Sequence, residues 1–320
     1  MKTFVIKLTI FIFLILILQK FVLSYFPYQP PQAVESLKTY QQNETNIIFF
    51  GDSTTTWWSK YEADNRSIQT MLSNLLNKGI GMVCHDGYQA GMYDAYTNYM
   101  VKQNYYPSYI IIPINLRSFS IGWDLGGPQF IDEMLYLDFY NTPLSPFLTF
   151  TTNLAIPDGN KLYENIYYLS TEFDGNTVVG SGGDYENKLK NASLNTRFKL
   201  MFQMNYLASV NADNSKLNNL LNIADRYRNT KTKVIFYITP IDYQTGEKYF
   251  GKRFLTQVKE NANTIVSQLK QHQSLVLDLS TSLPSKNFIW KEESYVNEHM
   301  NKDGRAFIAA QLAKTIEGNK

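Results

Sequence analysis

Short unbroken apolar runs alternate along this chain with longer stretches in which apolar residues recur every third or fourth position. Asn46-Ile47-Ile48-Phe49-Phe50 is the first run, and it stops at Gly51. Met82 to His85, Tyr109 to Asn115, Lys233 to Pro240 and Ser274 to Leu279 are the others. Runs of this kind, rich in β-branched and aromatic residues, read as strands buried on both faces. Between them Ile68, Met71, Leu72, Leu75 and Leu76 fall at helical spacing, as do Phe254, Val258, Ile265, Val266 and Leu269, then Phe307, Ile308, Leu312 and Ile316. A further helix is predicted after Gly91, running to about Gln103, and another from about Asn195 to Tyr227. Strands alternating with helices predict an α/β domain with a mostly parallel sheet covered on both faces. Pro113 lies inside the third run and cannot donate to a ladder, so a bulge or an early end to regular pairing is expected there.

Three parts of the chain depart from this alternation. Lys2 and Lys7 precede a long apolar run, Leu8 to Leu18, in which Thr9 alone is polar, with Gln19-Lys20 beyond it. A positive flank before an apolar run is the form of an export signal. A membrane span needs about 20 apolar residues, a length reached here only if Lys20 snorkels. Residues 1–24 are therefore expected to be a signal peptide or an N-terminal membrane anchor. Pro27, Pro30 and Pro31 mark residues 25–45 as an extended linker. Residues 46–320 form the α/β domain, and residues 116–230, rich in Tyr, Phe and Asn with a Gly-rich stretch at Gly175 to Asp184, read as an insertion between strands three and four that shapes substrate access.

Composition narrows the function classes. The chain of 320 residues is 44% hydrophobic and 15% aromatic, ample for a packed core. Its net charge of +2 carries no basic block, which argues against nucleic acid as a partner. One cysteine, Cys84, excludes a disulfide framework and reads as a buried thiol; with three histidines it also speaks against structural zinc. No metal or organic cofactor is expected.

The chemistry is sought where parallel strands end, because open α/β sheets bind ligands at their carboxyl edge. Asp52-Ser53 follows the first strand, Gly87 and Gly91 the second, Asn115 ends the third, and His299 lies between the fifth strand and the last helix. Acyl transfer needs a nucleophile, a base within reach of it, and donors aimed at the developing oxyanion. Ser53 is the candidate nucleophile and His299 the candidate general base. The backbone N–H groups of Ser53 and Gly91 and the Asn115 side-chain amide are the candidate oxyanion donors. His272 precedes a strand and belongs on the opposite edge; His85, at a strand end, reads as structural. Trp57 and Trp58 read as lid or core, or as rings that stack on a sugar. Arg117 either holds an anionic substrate group or is paired internally. The Asn-x-Ser/Thr triplets at Asn43, Asn65 and Asn191 are weak patterns.

These residues resemble the motifs of the GDSL/SGNH hydrolase superfamily. Gly51-Asp52-Ser53 after its apolar strand is similar to the first block, Gly91 to the second-block glycine, Asn115 to the third-block asparagine and His299 to the last-block histidine. The resemblance spans Gly51 to His299. It implies a three-layer α/β/α, flavodoxin-like fold with a five-stranded parallel sheet, and ester hydrolysis or acyl transfer by a serine. The N-terminal segment also resembles that of exported members that modify cell-surface polymers. One position departs from the pattern: the family's Asp three residues before the histidine is Val296 here. Glu298 and Glu293 are the remaining acids beside His299, and Asp242, after strand four, is a distant third. The expectation is an exported serine esterase acting on O-acyl, foremost O-acetyl, esters of a small molecule or cell-surface carbohydrate. An O-acyltransferase with the same Ser53/His299 site, and a non-catalytic binding or assembly protein on the same fold, are the alternatives.

Overall fold

The computed structural model describes residues 2–25, 30–120, 130–138 and 193–319. The Gly-rich stretch, the Asn191 triplet and the middle of the expected insertion lie outside them. Five parallel strands, β1 (Ile47–Gly51), β2 (Gly81–Cys84), β3 (Tyr109–Ile114), β4 (Lys233–Ile238) and β5 (Leu275–Asp278), form one sheet in the order β2-β1-β3-β4-β5. Every residue of β1 is buried, as are all but the first residues of β3 and β4, which is why these strands read as unbroken apolar runs. The order reverses direction at β1, so the crevice between the ends of β1 and β3 is the topological switch point.

The helices are α1 (Lys2–Tyr25), α2 (Gln32–Gln42), α3 (Ser53–Thr56), α4 (Ile68–Leu76), α5 (Ala90–Lys102), α6 (Ile131–Asp138), α7 (Leu194–Tyr206), α8 (Ser215–Tyr227), α9 (Tyr243–Phe250), α10 (Lys252–Gln271), α11 (Trp290–Glu293) and α12 (Lys302–Gly318). Helices α4 and α12 pack together, and α5 packs on α8, which meets α10, giving the outer layers of a three-layer α/β/α fold. The helix expected over 195–227 is two, because Asn214 caps a new start by accepting from the N–H groups of Lys216 and Leu217. The second of them, α8, is an ordinary layer helix: Arg226 pairs with Asp94 of α5 at 2.6 Å.

One further expectation is corrected and another holds in part. The stretch taken as linker folds: α2 buries Val34 and Leu37 and packs against β2. Gly81 permits this contact, since a Cβ there would lie 2.7 Å from the Tyr40 ring and from Ile48. Pro113 makes no bulge, and the alternative expected there, an early end to regular pairing, holds toward β1 alone. Its pairing with Tyr237 of β4 continues in register to Ile114, whereas pairing with β1 ends at Phe49–Ile111. Tyr109 donates toward β1 and the Ser108 and Ile114 carbonyls point toward β4, so the missing N–H of Pro113 falls on the β1 side, beyond the last partner there.

Helix α1 leaves its apolar side chains in solvent, from Phe4 to Leu18. Among the described residues no helix is long and apolar enough to cross a membrane.

Candidate active site

Ser53 is the first residue of α3, immediately beyond the buried end of β1. Asp52 makes that abrupt start: its carboxylate accepts from the Thr54 N–H at 2.8 Å and the Thr54 hydroxyl at 2.6 Å. Burial raises the Asp52 pKa above the usual carboxylate value, with the Thr54 hydroxyl and Arg117 opposing the rise. The Ser53 N–H, in the first turn of the helix, has no partner among the described residues.

Asn115 ends β3 across the switch point. Its Nδ2 donates to the Asp52 carboxylate and its Oδ1 accepts from the Thr239 hydroxyl at 2.9 Å, which fixes the orientation of the amide. One N–H of that amide remains for another acceptor. Gly91 follows β2 as expected but is not among the residues that line the cavity around Ser53. It lies in the first turn of α5, and a Cβ there would meet Asn219 of α8 at 3.3 Å. Gly87 lines the cavity instead, at φ +85, with an N–H that has no partner among the described residues. A positive φ is readily adopted only by glycine.

His299 is buried, and its Nδ1 lies 2.8 Å from both carboxylate oxygens of Glu293. Glu293 ends α11, which is followed by Ser294 in the left-handed conformation. Antiparallel contacts then bring residues 287–289 beside 299–301: the Ile289 N–H donates to the His299 carbonyl and the Asn301 N–H to the Asn287 carbonyl. The loop thus folds back and closes a separation that no helical spacing would close. Asn297 braces the pair, donating to Glu293 through Nδ2 and accepting from the His299 N–H at 2.9 Å. Trp57 stacks on the imidazole, with ring centroids 5.1 Å apart, and donates to Asp86. With a carboxylate accepting at Nδ1, the lone pair of the ring sits on Nε2. That nitrogen is buried and has no hydrogen-bond partner among the described residues, Ser53 Oγ included.

Glu298 does not serve His299. Its side chain turns inward and pairs with Arg117 at 3.1 Å, both groups buried. Burial works to lower the Arg117 pKa, but Glu298, with Tyr295, Tyr206 and Asp52, holds it above its ordinary value. Asp242 is not an orienting acid for His299 either. It caps α9 through the Thr245 N–H, and it accepts from Ser285 and, at 3.0 Å, from the indole of Trp290. Trp290 is the buried first residue of α11, enclosed by Phe198 and Phe202. Asp242 therefore anchors the short helix that presents Glu293.

The other sequence candidates sort by edge. His272 pairs with Asp225 at 2.7 Å beside the start of β5, at the opposite edge of the sheet. His85 is exposed and packs against Tyr88 and Phe130. Cys84 is partly rather than fully buried; its thiol donates to the Asp52 carbonyl, and burial, reinforced by Asp52 and Asp86, pushes its pKa up.

One cavity of about 250 Å³ is lined by Ser53, Asn115, Gly87 and His299, together with Trp57 and Arg117. Asp86, Gly87, Asn297 and Tyr295 are lining residues the sequence reading did not assign. Gly87 alone carried a signal, as a glycine directly after a strand. A hydroxyl, an imidazole held by a carboxylate, and unpartnered N–H donors around one cavity are the groups that acyl transfer by a serine requires.

No protein family matches the chain, and no curated protein does. Solved structures similar to it include a carbohydrate acetylesterase from Sinorhizobium meliloti (8% identity, TM-score 0.41, covering 86% of this chain and 100% of that one). A catalytic mutant of an acetylxylan esterase from Geobacillus stearothermophilus is similar at 13% identity and TM-score 0.41, covering 84% and 93%. A lipase/acylhydrolase from Enterococcus faecalis is similar at 12% identity and TM-score 0.42, covering 86% and 96%. All three are ester-cleaving enzymes by name. The chemistry proposed below rests on this chain's own side chains.

Proposed function

We propose that this chain is an exported serine esterase that removes O-acyl groups, foremost O-acetyl, from carbohydrate. The observation that carries the reading is the Glu293–His299 pair, whose unpartnered Nε2 shares a cavity with Ser53. Ser53 Oγ attacks the ester carbonyl carbon while His299 Nε2 takes its proton. Glu293 holds the Nδ1–H, fixing tautomer and ring orientation as the imidazolium forms. The Ser53 N–H, the Gly87 N–H and the remaining Asn115 amide N–H receive the oxyanion. His299 then protonates the leaving alcohol, and water, deprotonated by the same nitrogen, hydrolyses the acyl-serine. The same steps with a sugar hydroxyl in place of water give acyl transfer. Loss of one oxyanion donor costs about 3 kcal/mol of barrier.

Export is supported by the lysine-flanked apolar segment of α1, whose side chains take no part in the core. A cavity of about 250 Å³ suits acetyl better than a long acyl chain. The test is labelling by a fluorophosphonate together with hydrolysis of p-nitrophenyl acetate. Wild type is expected to label at Ser53 and turn over, and Ser53→Ala to do neither. A folded wild type that neither labels nor hydrolyses makes the chain a binding protein on this fold.

A further inference from the structure

A second cavity, of about 520 Å³, lies on the far side of the 84–89 loop from the first and shares Tyr88 with it. It opens beside the end of β2, at the same carboxyl edge of the sheet, between α2 and α6. Three rings form one wall: His85, Tyr88 and Phe130, with His85–Phe130 and Tyr88–Phe130 centroids 5.0 Å apart. Glu133 stands beside them, its carboxylate accepting from the Tyr88 hydroxyl at 2.7 Å and from the Tyr96 hydroxyl. Helix α2 contributes Gln32 and Ser36 from the opposite side.

The chemistry of this lining is selective. Rings offer apolar faces to the C–H side of a pyranose, and a carboxylate, an amide and a hydroxyl offer the hydrogen-bond partners that sugar hydroxyls need. A carboxylate already fixed by tyrosine hydroxyls keeps acceptor capacity for a further donor, because each oxygen carries two lone pairs. Among the described residues no lysine or arginine lines the cavity, and Glu133 opposes a second anion, so uronates and phosphates are disfavoured. The first cavity has room for an acyl group and little more, whereas ligand sites usually span roughly 300–1,000 Å³.

We infer that the cavity between α2 and α6 is the subsite for the neutral saccharide that carries the ester, with the sugar chain passing over Tyr88 to present its acyl group to Ser53. This deepens, and rests on, the esterase reading above. It also explains why α2 is docked against β2: it supplies one wall of the subsite.

The test compares two esters and three proteins. Ser36→Trp fills the cavity from a partly exposed helix position, and Glu133→Gln removes the charge; neither residue lines the Ser53 cavity. For acetylated xylotriose KM is expected to rise at least tenfold in Ser36→Trp and severalfold in Glu133→Gln, while kcat/KM for p-nitrophenyl acetate stays within twofold of wild type. Equal effects on both esters, or none on either, overturn the inference. Binding is read apart from the reaction by calorimetric titration of Ser53→Ala with xylotriose, cellotriose and chitotriose. Binding of at least one trisaccharide that is abolished by adding Ser36→Trp supports the subsite even if wild type fails to hydrolyse any ester, which would sink the esterase reading alone. No binding of any of the three, or binding indifferent to Ser36→Trp, overturns the subsite.

Discussion

Glu293 reaches His299 only because Ser294 reverses the chain and Asn297 braces the turn. That geometry makes the choice of substitution informative. In Glu293→Gln, the Asn297 amide holds the new side chain by its oxygen and turns its NH₂ toward Nδ1. The imidazole must then accept there and carry its proton on Nε2, the wrong tautomer for a base. We expect kcat to fall by about 10³–10⁴ with KM nearly unchanged, on the scale of the same tautomer error in serine proteases. An unchanged kcat on p-nitrophenyl acetate would show that Glu293 does not orient the base. The two glycines after β2 separate as sharply. Gly87→Ala places a Cβ at φ +85 beside the cavity, so it should cost about 1 kcal/mol or more of stability and cut kcat at least tenfold. Gly91→Ala sits in a helical turn with only the Asn219 amide to displace, and should leave kcat within twofold. The reverse ranking in thermal melts and turnover would restore Gly91 as the donor. Sequence could order the motifs, but which of two glycines so close together lines the cavity depends on the backbone path after β2.

The last loop carries its base through an ion pair between elements. Arg117, in the 3-10 turn that follows Asn115, meets Glu298, the residue before His299. Asn205 at the end of α7 adds a bond to the Val296 carbonyl at 3.0 Å, and Tyr206, its hydroxyl pKa pushed up first by burial and then by Glu298, closes the pocket around the pair. Breaking one side of a buried pair leaves a stranded charge and typically costs about 3–5 kcal/mol, whereas removing both charges costs far less. Glu298→Gln and Arg117→Met should each lower the melting temperature strongly, and the double variant should recover most of the loss. Additive losses in a double-mutant cycle would mean the two groups are not coupled. This element shows what was legible and what was not. The sequence offered Arg117 as either a substrate ligand or an internal partner, and Glu298 as a possible acid. Adjacent side chains diverge, so Glu298 could not follow His299 into the cavity, but nothing local named its partner. Helix α2 was missed for a related reason: the prolines before it signal an extended chain, and only docking on β2 reveals its buried face.

At the scale of the molecule, the site was legible because every strand of a parallel sheet ends on one rim, so chain order alone placed Ser53, Asn115 and His299 on the same edge. The segment before the sheet obeys a different logic. Between Phe4 and Leu18 the apolar side chains of α1 are exposed, whereas Val34 and Leu37 of α2 are buried in the core. Hydrophobic stability comes from area removed from water, so the exposed side chains from Phe4 to Leu18 contribute little of it, while each buried Val or Leu is worth about 1.5–3 kcal/mol. Two truncations should therefore behave oppositely. A chain beginning at residue 26 should melt within about 2 °C of the full chain, as expected for a change of under about 0.5 kcal/mol, and should keep its turnover of p-nitrophenyl acetate. A chain beginning at residue 46 also loses α2, bares the Gly81 face of β2, and should lose several kcal/mol in urea titrations along with the wall of the second cavity. If the shorter deletion unfolded the protein, α1 would be part of the body rather than a segment that directs it out of the cytoplasm. If the longer one left stability intact, the docking of α2 on β2 would be incidental and the saccharide subsite would lose the helix that shapes it.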